Sequence, residues 1–209
     1  MTGATPISPL PACWPAACAE RRCGPGRPRG YDPDCVLAAL TRVFREQGYE
    51  ATSVEDLISA AGLSRSSFYN AYGSKRGAML AVLQKHCDVH REELRGLARA
   101  GDPPQAQARA VIDGHFDAEV AATGCFIGDA AAELSARDAD VQAIVSRFRD
   151  RLVEDFAALA APLVGEAEAP ERARAAYALA LGAGVMRKSG VSAEAVESLR
   201  REARRLLGA

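Results

Sequence analysis

The sequence has few aromatic and few β-branched residues, and it contains no long uninterrupted apolar run. Aromatic residues make up 6% of the 209 residues, with a single tryptophan. Because Ala, Leu, Arg and Glu dominate instead, the composition argues against a protein built on a β-sheet and predicts an all-α fold. The longest apolar run, Tyr177–Met186, is interrupted by glycine and is shorter than the roughly 18 residues that a membrane helix needs. We therefore expect no membrane partner.

The chain also lacks an overall charge of either sign. Its net charge is −1, so the chain as a whole shows no bias toward nucleic acid. The charges are unevenly distributed, because the segment Arg21–Lys85 holds ten basic and six acidic residues, a net charge of +4. The rest of the chain is acidic on balance. This asymmetry suits a DNA-reading domain joined to a regulatory domain.

Residues 1–24 lack any hydrophobic periodicity and are rich in Pro, Ala and Cys. We expect a disordered extension there, since such a composition buries little apolar surface. Prolines interrupt any apolar core that a signal peptide would need, so we expect a cytoplasmic protein whose six cysteines are thiols. Cys35, within the first predicted helix, is interpreted as a packing residue.

Few residues have the spacing of metal ligands. Cys13, Cys18 and Cys23 recur every five residues, whereas paired zinc ligands usually lie two to four residues apart. His86 and His90 are four residues apart on a predicted helix, but no third ligand is evident in the sequence. We predict no metal site and no cofactor.

The segment 52–72 has the pattern of two short helices separated by a glycine. Thr52 or Ser53 can cap the first helix, with an acidic residue three positions later completing a capping box. Apolar residues then follow at helical spacing, and Gly62 can adopt the left-handed conformation that ends a helix sharply. Ser64 can cap the second helix. Two short helices about a glycine turn predict a helix-turn-helix, whose second helix fits the major groove of DNA.

The second of these helices is polar on its surface. Its hydroxyls, arginine, tyrosine and asparagine can donate to or accept from phosphates and base edges. Phe68 is its one large, purely apolar side chain, and we expect it in the core. A helix predicted over Pro33–Gln47, begun by its proline and ended by Gly48, completes a three-helix domain. An ordinary core hairpin would be less polar than this.

Three motifs between residues 26 and 75 resemble the DNA-binding domain of TetR-family repressors. They are Gly-Arg-Pro-Arg-Gly at 26–30, Gly-Tyr-Glu-Ala-Thr-Ser-Val-Glu-Asp-Leu-Ile at 48–58 and Ser-Phe-Tyr-Asn-Ala-Tyr-Gly-Ser-Lys at 67–75. The resemblance implies a homodimeric repressor that leaves a palindromic operator in double-stranded DNA when an inducer acts. It divides the chain into the extension 1–24, a DNA-binding domain 25–78 and a regulatory and dimerisation domain 79–209.

Lys75 lies in the first turn of a fourth helix, which Ser74 is predicted to cap. A cation there opposes the helix dipole, and a bound phosphate would relieve this conflict because helix N-termini bind anions. The resemblance makes Lys75 a phosphate-contacting residue and makes Tyr69 and Tyr72 face DNA. The basic arm at 26–30 can lay its arginines into the minor groove. The predicted DNA contacts are Arg27, Arg29, Thr52, Arg65, Ser66, Ser67, Tyr69, Asn70, Tyr72 and Lys75.

Helical periodicity continues to the end of the chain. The fourth helix is predicted to continue to Leu97, and the final two long helices resemble the pair that forms the dimer interface in this family. Small residues on the first of this pair would allow another helix to approach closely. The other predicted helices span residues 105–122, 125–134, 138–163, 171–189 and 192–207.

Cys125 is the candidate residue for regulation. It follows Gly124 and begins a predicted helix, where the dipole favours the thiolate that electrophiles and oxidants attack. The segment 124–134 resembles the NemR-like branch of the family, which senses such reagents, and Lys188 matches the lysine that pairs with the sensing cysteine. Non-covalent binding of an apolar small molecule remains an open alternative. A thiol enzyme with His115 as base has no supporting motif, and we predict no enzyme activity.

Overall fold

The computed structural model describes residues 32–119 and 125–209, and in these residues it contains helices and no strand. The predicted all-α fold is confirmed. The basic arm with Arg27 and Arg29, the cysteine-containing extension and Gly124 lie outside the described residues. The helices are α1 (Pro33–Gln47), α2 (Val54–Ala61), α3 (Arg65–Tyr72), α4 (Lys75–Leu97), α5 (Pro104–Glu119), α6 (Phe126–Leu134), α7 (Ala139–Val164), α8 (Ala169–Lys188) and α9 (Ala193–Leu207).

The chain divides into two compact units, of which the first ends at Lys85 and the second begins at His86. This division falls within α4, so the helix contributes to both units. The boundary predicted after residue 78 also lies on α4. Each unit has a buried apolar core of its own, as expected of a domain.

The first unit is built from α1, α2, α3 and the start of α4. Asp32 caps α1 by accepting a hydrogen bond from the backbone N–H of Asp34 at 3.0 Å, and Gly48 ends the helix at a φ of +78°. The apolar faces of the helices are buried, since each side chain removed from water stabilises the fold. The core residues include Val36, Leu40, Val43, Phe44, Leu57, Phe68, Met79, Val82 and Leu83.

The second unit is organised around α8, which packs against α7 and α9. Buried alanines along α8 bring these helices close, as expected for a face without bulky side chains. Ion pairs hold the periphery: Arg91 of α4 forms a two-point pair with Asp155 of α7, at 2.6 and 2.8 Å. Arg204 of α9 pairs with Asp113 of α5 at 2.6 Å.

Two expectations about the whole chain can be compared with the structure. Within the described residues, none of the helices is both long enough and apolar enough to cross a membrane. The expectation that all six cysteines are thiols is wrong, because Cys35 is disulfide-bonded. The other described cysteines, Cys87 and Cys125, are free thiols.

Candidate nucleic-acid interface

α2 begins with a capping box that selects between the alternatives left open by the sequence. Ser53 is the N-cap: its Oγ accepts the backbone N–H of Asp56 at 3.1 Å. In return, the Asp56 carboxylate accepts the backbone N–H of Ser53 at 2.9 Å. The side-chain and backbone hydrogen bonds from Ser53 hold the pKa of Asp56 below its ordinary value, because they favour the ionised carboxylate.

The turn between α2 and α3 takes the form that its glycine predicts. Gly62 lies in the left-handed region at φ +64° and ψ +26°, a conformation that residues other than glycine rarely adopt. The backbone N–H of Leu63 donates to the carbonyl of Ile58 at 3.1 Å, satisfying the end of α2. Ser64 then caps α3 by accepting the backbone N–H of Ser67 at 3.1 Å. These hydrogen bonds close the short corner that joins the two helices.

One aromatic side chain anchors α3, and the remaining surface is polar. Phe68 is completely buried, whereas Tyr69 is 41% exposed. Arg65, Ser66 and Asn70 are also exposed. The helix therefore presents a polar face to solvent, with Tyr69 as its exposed aromatic side chain.

The two tyrosines on this helix are held against the buried anchor. The ring of Tyr69 contacts Phe68 edge-on, with centroids 5.6 Å apart, and the ring of Tyr72 contacts it at 5.4 Å. Aromatic pairs at these distances favour such tilted arrangements. Since Phe68 is fixed in the core, the position of both phenol rings on α3 is restrained.

Arg65, the predicted base-reading cation, pairs with Glu55 of α2. Both side chains are about two-thirds exposed, at 65% and 63%, so the pair contributes little to stability. Opening it costs little, and the guanidinium can exchange this carboxylate for an acceptor on DNA. Glu55 was not predicted as the partner of Arg65 because the two residues lie on different helices. Glu55 lies at the start of α2 and Arg65 at the start of α3.

Thr52 and Lys75 have partners inside the protein. Thr52 is 2% exposed, and its hydroxyl donates to the carbonyl of Gly48 at 2.6 Å. The Lys75 ammonium donates to the carbonyls of Tyr49, Glu50 and Thr52 at 2.8, 3.3 and 2.9 Å. It also lies 4.4 Å from the centroid of the Tyr49 ring. The conflict between Lys75 and the helix dipole is thus relieved by carbonyl groups of the α1–α2 turn.

In the second unit, Cys125 caps α6, as its position predicts. Its Sγ accepts the backbone N–H of Gly128 at 3.2 Å, and the thiol is half-buried. Lys188, its predicted partner, donates to the carboxylate of Asp129, one turn further along α6. An acidic residue four positions after the cysteine was the available sequence signal for this pairing, and it was missed.

Two other titratable groups of the second unit are deeply buried. Burial, together with the neighbouring Asp88, raises the pKa of the Cys87 thiol to about 12. Burial first, and His90 second, hold the pKa of His115 well below its usual range. No group of three or more His, Cys, Asp or Glu residues in the described chain is arranged to hold a metal ion.

The polar α3 mounted on a glycine corner defines the first unit as a helix-turn-helix of the DNA-binding type. Residues 36–82 match the family model described as bacterial regulatory proteins, tetR family. The chain belongs to the TetR family of transcriptional regulators.

Individual relatives agree with this assignment. The chain is 29% identical over 138 residues to the HTH-type transcriptional repressor ComR of Escherichia coli K12, covering 63% of this chain and 66% of ComR. A cysteine mutant of the TetR family regulator CifR, solved with 26-bp double-strand operator DNA, superposes with a TM-score of 0.71 at 22% identity, covering 86% of this chain and 98% of that one. Reduced E. coli NemR gives 0.72 at 20% identity, covering 81% and 93%. At these identities the two solved structures establish the fold.

Proposed function

We propose that this chain is a homodimeric transcriptional repressor that reads a palindromic operator in double-stranded DNA through α3. The observation that carries the proposal is the division of α3 into one buried anchor, Phe68, and a polar face open to solvent. A helix of this size fits the major groove, and its side chains supply the donors and acceptors that base edges require.

The proposed contacts fall into three groups. Residues of the α3 face meet base edges or phosphates, and these are Arg65, Ser66, Ser67 and Asn70. Tyr69 and Tyr72 hold phosphates through their hydroxyls, an assignment supported by the exposure of Tyr69 and by the anchoring of both rings on Phe68. Arg27 and Arg29 are proposed to enter the minor groove. The phosphate contacts expected of Thr52 and Lys75 compete with the internal hydrogen bonds of both side chains.

A dimer is needed to read a palindrome, because a two-fold axis places two recognition helices one helical turn or a multiple apart. An exposed apolar region at the end of α8 supports α8 and α9 as the interface: Val185 is 65% and Met186 38% exposed. The CifR relative was solved on duplex operator DNA, which supports the same kind of target here.

Selection of bound sequences from random duplexes, followed by gel-shift assays and light scattering, tests this proposal. We expect the selected duplexes to contain inverted repeats and to bind an even number of chains. Arg65→Ala should relax the sequence preference by about 1–3 kcal/mol at one position of each half-site, the range of a lost base contact. Arg149→Ala removes an equally charged residue that pairs with Asp150 on α7 and should leave the preference unchanged. A monomer indifferent to every duplex would contradict the proposal.

For the inducer, we propose covalent modification of Cys125 by an electrophile or oxidant. The support is the position of its sulfur at the α6 N-terminus, where it accepts a backbone N–H and where the helix dipole favours the thiolate. A bulky adduct there would strain α6 against α8, because a side chain on Gly128 would already lie 3.2 Å from Leu181. Such modification releases DNA only if it favours one conformation over the other.

The alternative is a repressor induced by non-covalent binding of an apolar small molecule. Here Cys125 is only a helix cap, and the pair between Lys188 and Asp129 serves to hold α8 on α6. Both alternatives leave the DNA-binding proposal unchanged and differ in their dependence on the thiol.

Gel shifts after treatment with N-ethylmaleimide distinguish the two alternatives. The Cys125 thiolate adds to the maleimide double bond to form a thioether, so wild type should lose operator binding while Cys125→Ser should retain it. Cys87→Ser is the matched control and should behave as wild type, since burial raises the pKa of Cys87 to about 12 and leaves this thiol unreactive. Equal loss of binding by wild type and Cys125→Ser would contradict the role of Cys125.

A further inference from the structure

We propose that Glu55 is a specificity-determining residue, which holds the Arg65 guanidinium for a guanine base and turns it away from phosphates. This inference rests on the proposed DNA-binding function, and it refines how α3 would read its operator. The two residues form an exposed ion pair that joins the start of α2 to the start of α3.

Neither residue of this pair is needed to cap its helix. Ser53 and Asp56 form the capping box of α2, and the Ser64 hydroxyl accepts the backbone N–H of Ser67 at the start of α3. Both side chains of the pair are about two-thirds exposed, so the ion pair adds little to stability. The stability of the first unit therefore does not account for an acidic residue at this place.

A carboxylate beside the proposed reading face lowers the affinity for DNA in general. Ser64, Arg65 and Ser66 are exposed at the start of α3, and Glu55 brings a negative charge to this end of the helix. A negative charge repels the phosphate backbone, which supplies essentially all of the non-specific affinity of a DNA-binding protein. The benefit of Glu55 must therefore lie in discrimination between sequences.

The ion pair leaves the Arg65 guanidinium enough donors for a base. A guanidinium has five N–H donors, and the contact with Glu55 is made by the Nη2 group. An arginine needs two donors to bind the O6 and N7 acceptors of guanine. Arg65 can therefore contact a guanine without leaving Glu55.

Guanine and phosphate respond differently to this pairing. The ion pair has no net charge, so a phosphate is attracted by the guanidinium and repelled by the adjacent carboxylate. The guanine edge is neutral, and its two acceptors still match the planar fork of the arginine. Glu55 thus shifts Arg65 from backbone contacts, which carry no sequence information, toward a base contact.

The experiment compares the full chain as wild type, Glu55→Gln, Arg65→Ala and the double variant, with Asp34→Asn as the matched control. Asp34 pairs with Lys85 at 2.8 Å, so its replacement removes an equal charge from another ion pair of the first unit. Binding is measured over a range of salt concentrations to a duplex selected from random sequences. A second duplex carries a replacement at the guanine whose preference Arg65→Ala abolishes.

The salt dependence should reveal what Arg65 contacts. In the wild-type background, Arg65→Ala should leave the slope of log K against log salt concentration nearly unchanged, whereas in the Glu55→Gln background it should lower the slope by about 0.9, one phosphate contact. Glu55→Gln alone should raise the affinity for the second duplex by about fivefold at about 0.15 M salt. The preference for guanine should fall by the same factor. Asp34→Asn should show neither change, and urea unfolding of Glu55→Gln should match wild type.

A Glu55→Gln variant with the wild-type slope and guanine preference would overturn the inference. An equal gain of affinity in Asp34→Asn would also overturn it, because total charge would then explain the effect. Weaker binding of Glu55→Gln to both duplexes at an unchanged slope would make Glu55 a structural residue instead. Failure of the wild-type protein to bind any duplex would overturn the proposed function, and it is distinguishable because the other outcomes all require wild-type binding.

Discussion

At the scale of single residues, the packing of the first unit depends on Gly77, which has no side chain. A Cβ built on Gly77 would lie 1.9 Å from the carbonyl oxygen of Tyr72 and 3.1 Å from its carbonyl carbon. The atoms that would be hit belong to the backbone at the end of α3, so they cannot turn aside as a flexible side chain would. The close approach of α3 and α4 therefore requires glycine at this position.

Gly77→Ala should destabilise the protein by about 1–3 kcal/mol, because accommodating the methyl group forces a backbone shift. Gly96→Ala is the matched control on the same helix, since a Cβ there meets nothing within 4 Å. It should stabilise the protein by up to about 1 kcal/mol through its better helix propensity. Urea unfolding of the two variants measures both effects. Equal effects of the same sign would show that the contact with Tyr72 relaxes at no cost.

The other residue-scale result concerns which polar side chains already have internal partners. Lys75 and Thr52 are engaged with carbonyls of the α1–α2 turn, whereas Arg65 has an exposed partner that it can leave. Their predicted DNA contacts stay predictions. The structure nevertheless ranks them, because part-buried hydrogen bonds cost more to break than a solvent-exposed ion pair.

At the scale of elements, α2 and α3 owe their limits to their caps. Each is a helix of 8 residues, a length that is marginal in water for an isolated helix. Serine caps begin both, and glycines in the left-handed region or close to it end both. Leu57 and Phe68 are both fully buried, and their packing supplies the stability that helix propensity alone does not give these short helices.

The element α3 combines two requirements that usually oppose each other. It must be packed firmly to hold its side chains in register, and it must leave a polar face free for a ligand. One fully buried residue, Phe68, meets the first requirement, and its contacts with Tyr69 and Tyr72 extend that rigidity outward. Because one buried residue anchors α3, most of its other residues can be substituted without loss of packing. Such substitutions would change which DNA sequence the helix prefers.

At the scale of the whole molecule, the second unit has an unusual core, because all three histidines of the chain are buried there. The Nε2 of His90 and the Nδ1 of His115 are 3.4 Å apart. The His115 ring stacks on Tyr177 and meets Phe156 edge-on, and the His90 ring stacks on Phe148. Burial in this surrounding favours the neutral imidazole of His115.

The protein should therefore lose stability in mild acid. The folded-state pKa of His115 is depressed, so the unfolded state binds more protons and stability rises with pH. The free energy of unfolding should have its maximum value above the ordinary histidine pKa of about 6.5. At lower pH it should decrease by at most about 1.4 kcal/mol per pH unit for one proton. Urea unfolding at pH 7.5, 6.5 and 5.5 measures this. His115→Asn, which takes up no proton, should show a shallower slope, and an equal slope would contradict the assignment of the effect to His115.

Much of the fold was predictable from the sequence for a local reason. The limits of α1, Pro33–Gln47, were predicted as observed, because a proline, a capping acid and a glycine act within a few residues of themselves. The same holds for the capped α2 and α3 and for the burial of Phe68. The thiol state of Cys35 was predicted wrongly, since bonding between cysteines depends on which of them the fold brings together.

The sequence by itself determined the helices, their caps, the glycine corner and the polar character of α3, because these depend on hydrogen bonds and periodicity over a few neighbouring residues. Only the tertiary structure decided the partners of the side chains that bond to distant parts of the chain. Lys75 reaches Thr52 across 23 positions, and Lys188 reaches Asp129 across 59. Packing selects such partners from distant parts of the chain, because a side chain bonds to the acceptor that the packed helices place beside it.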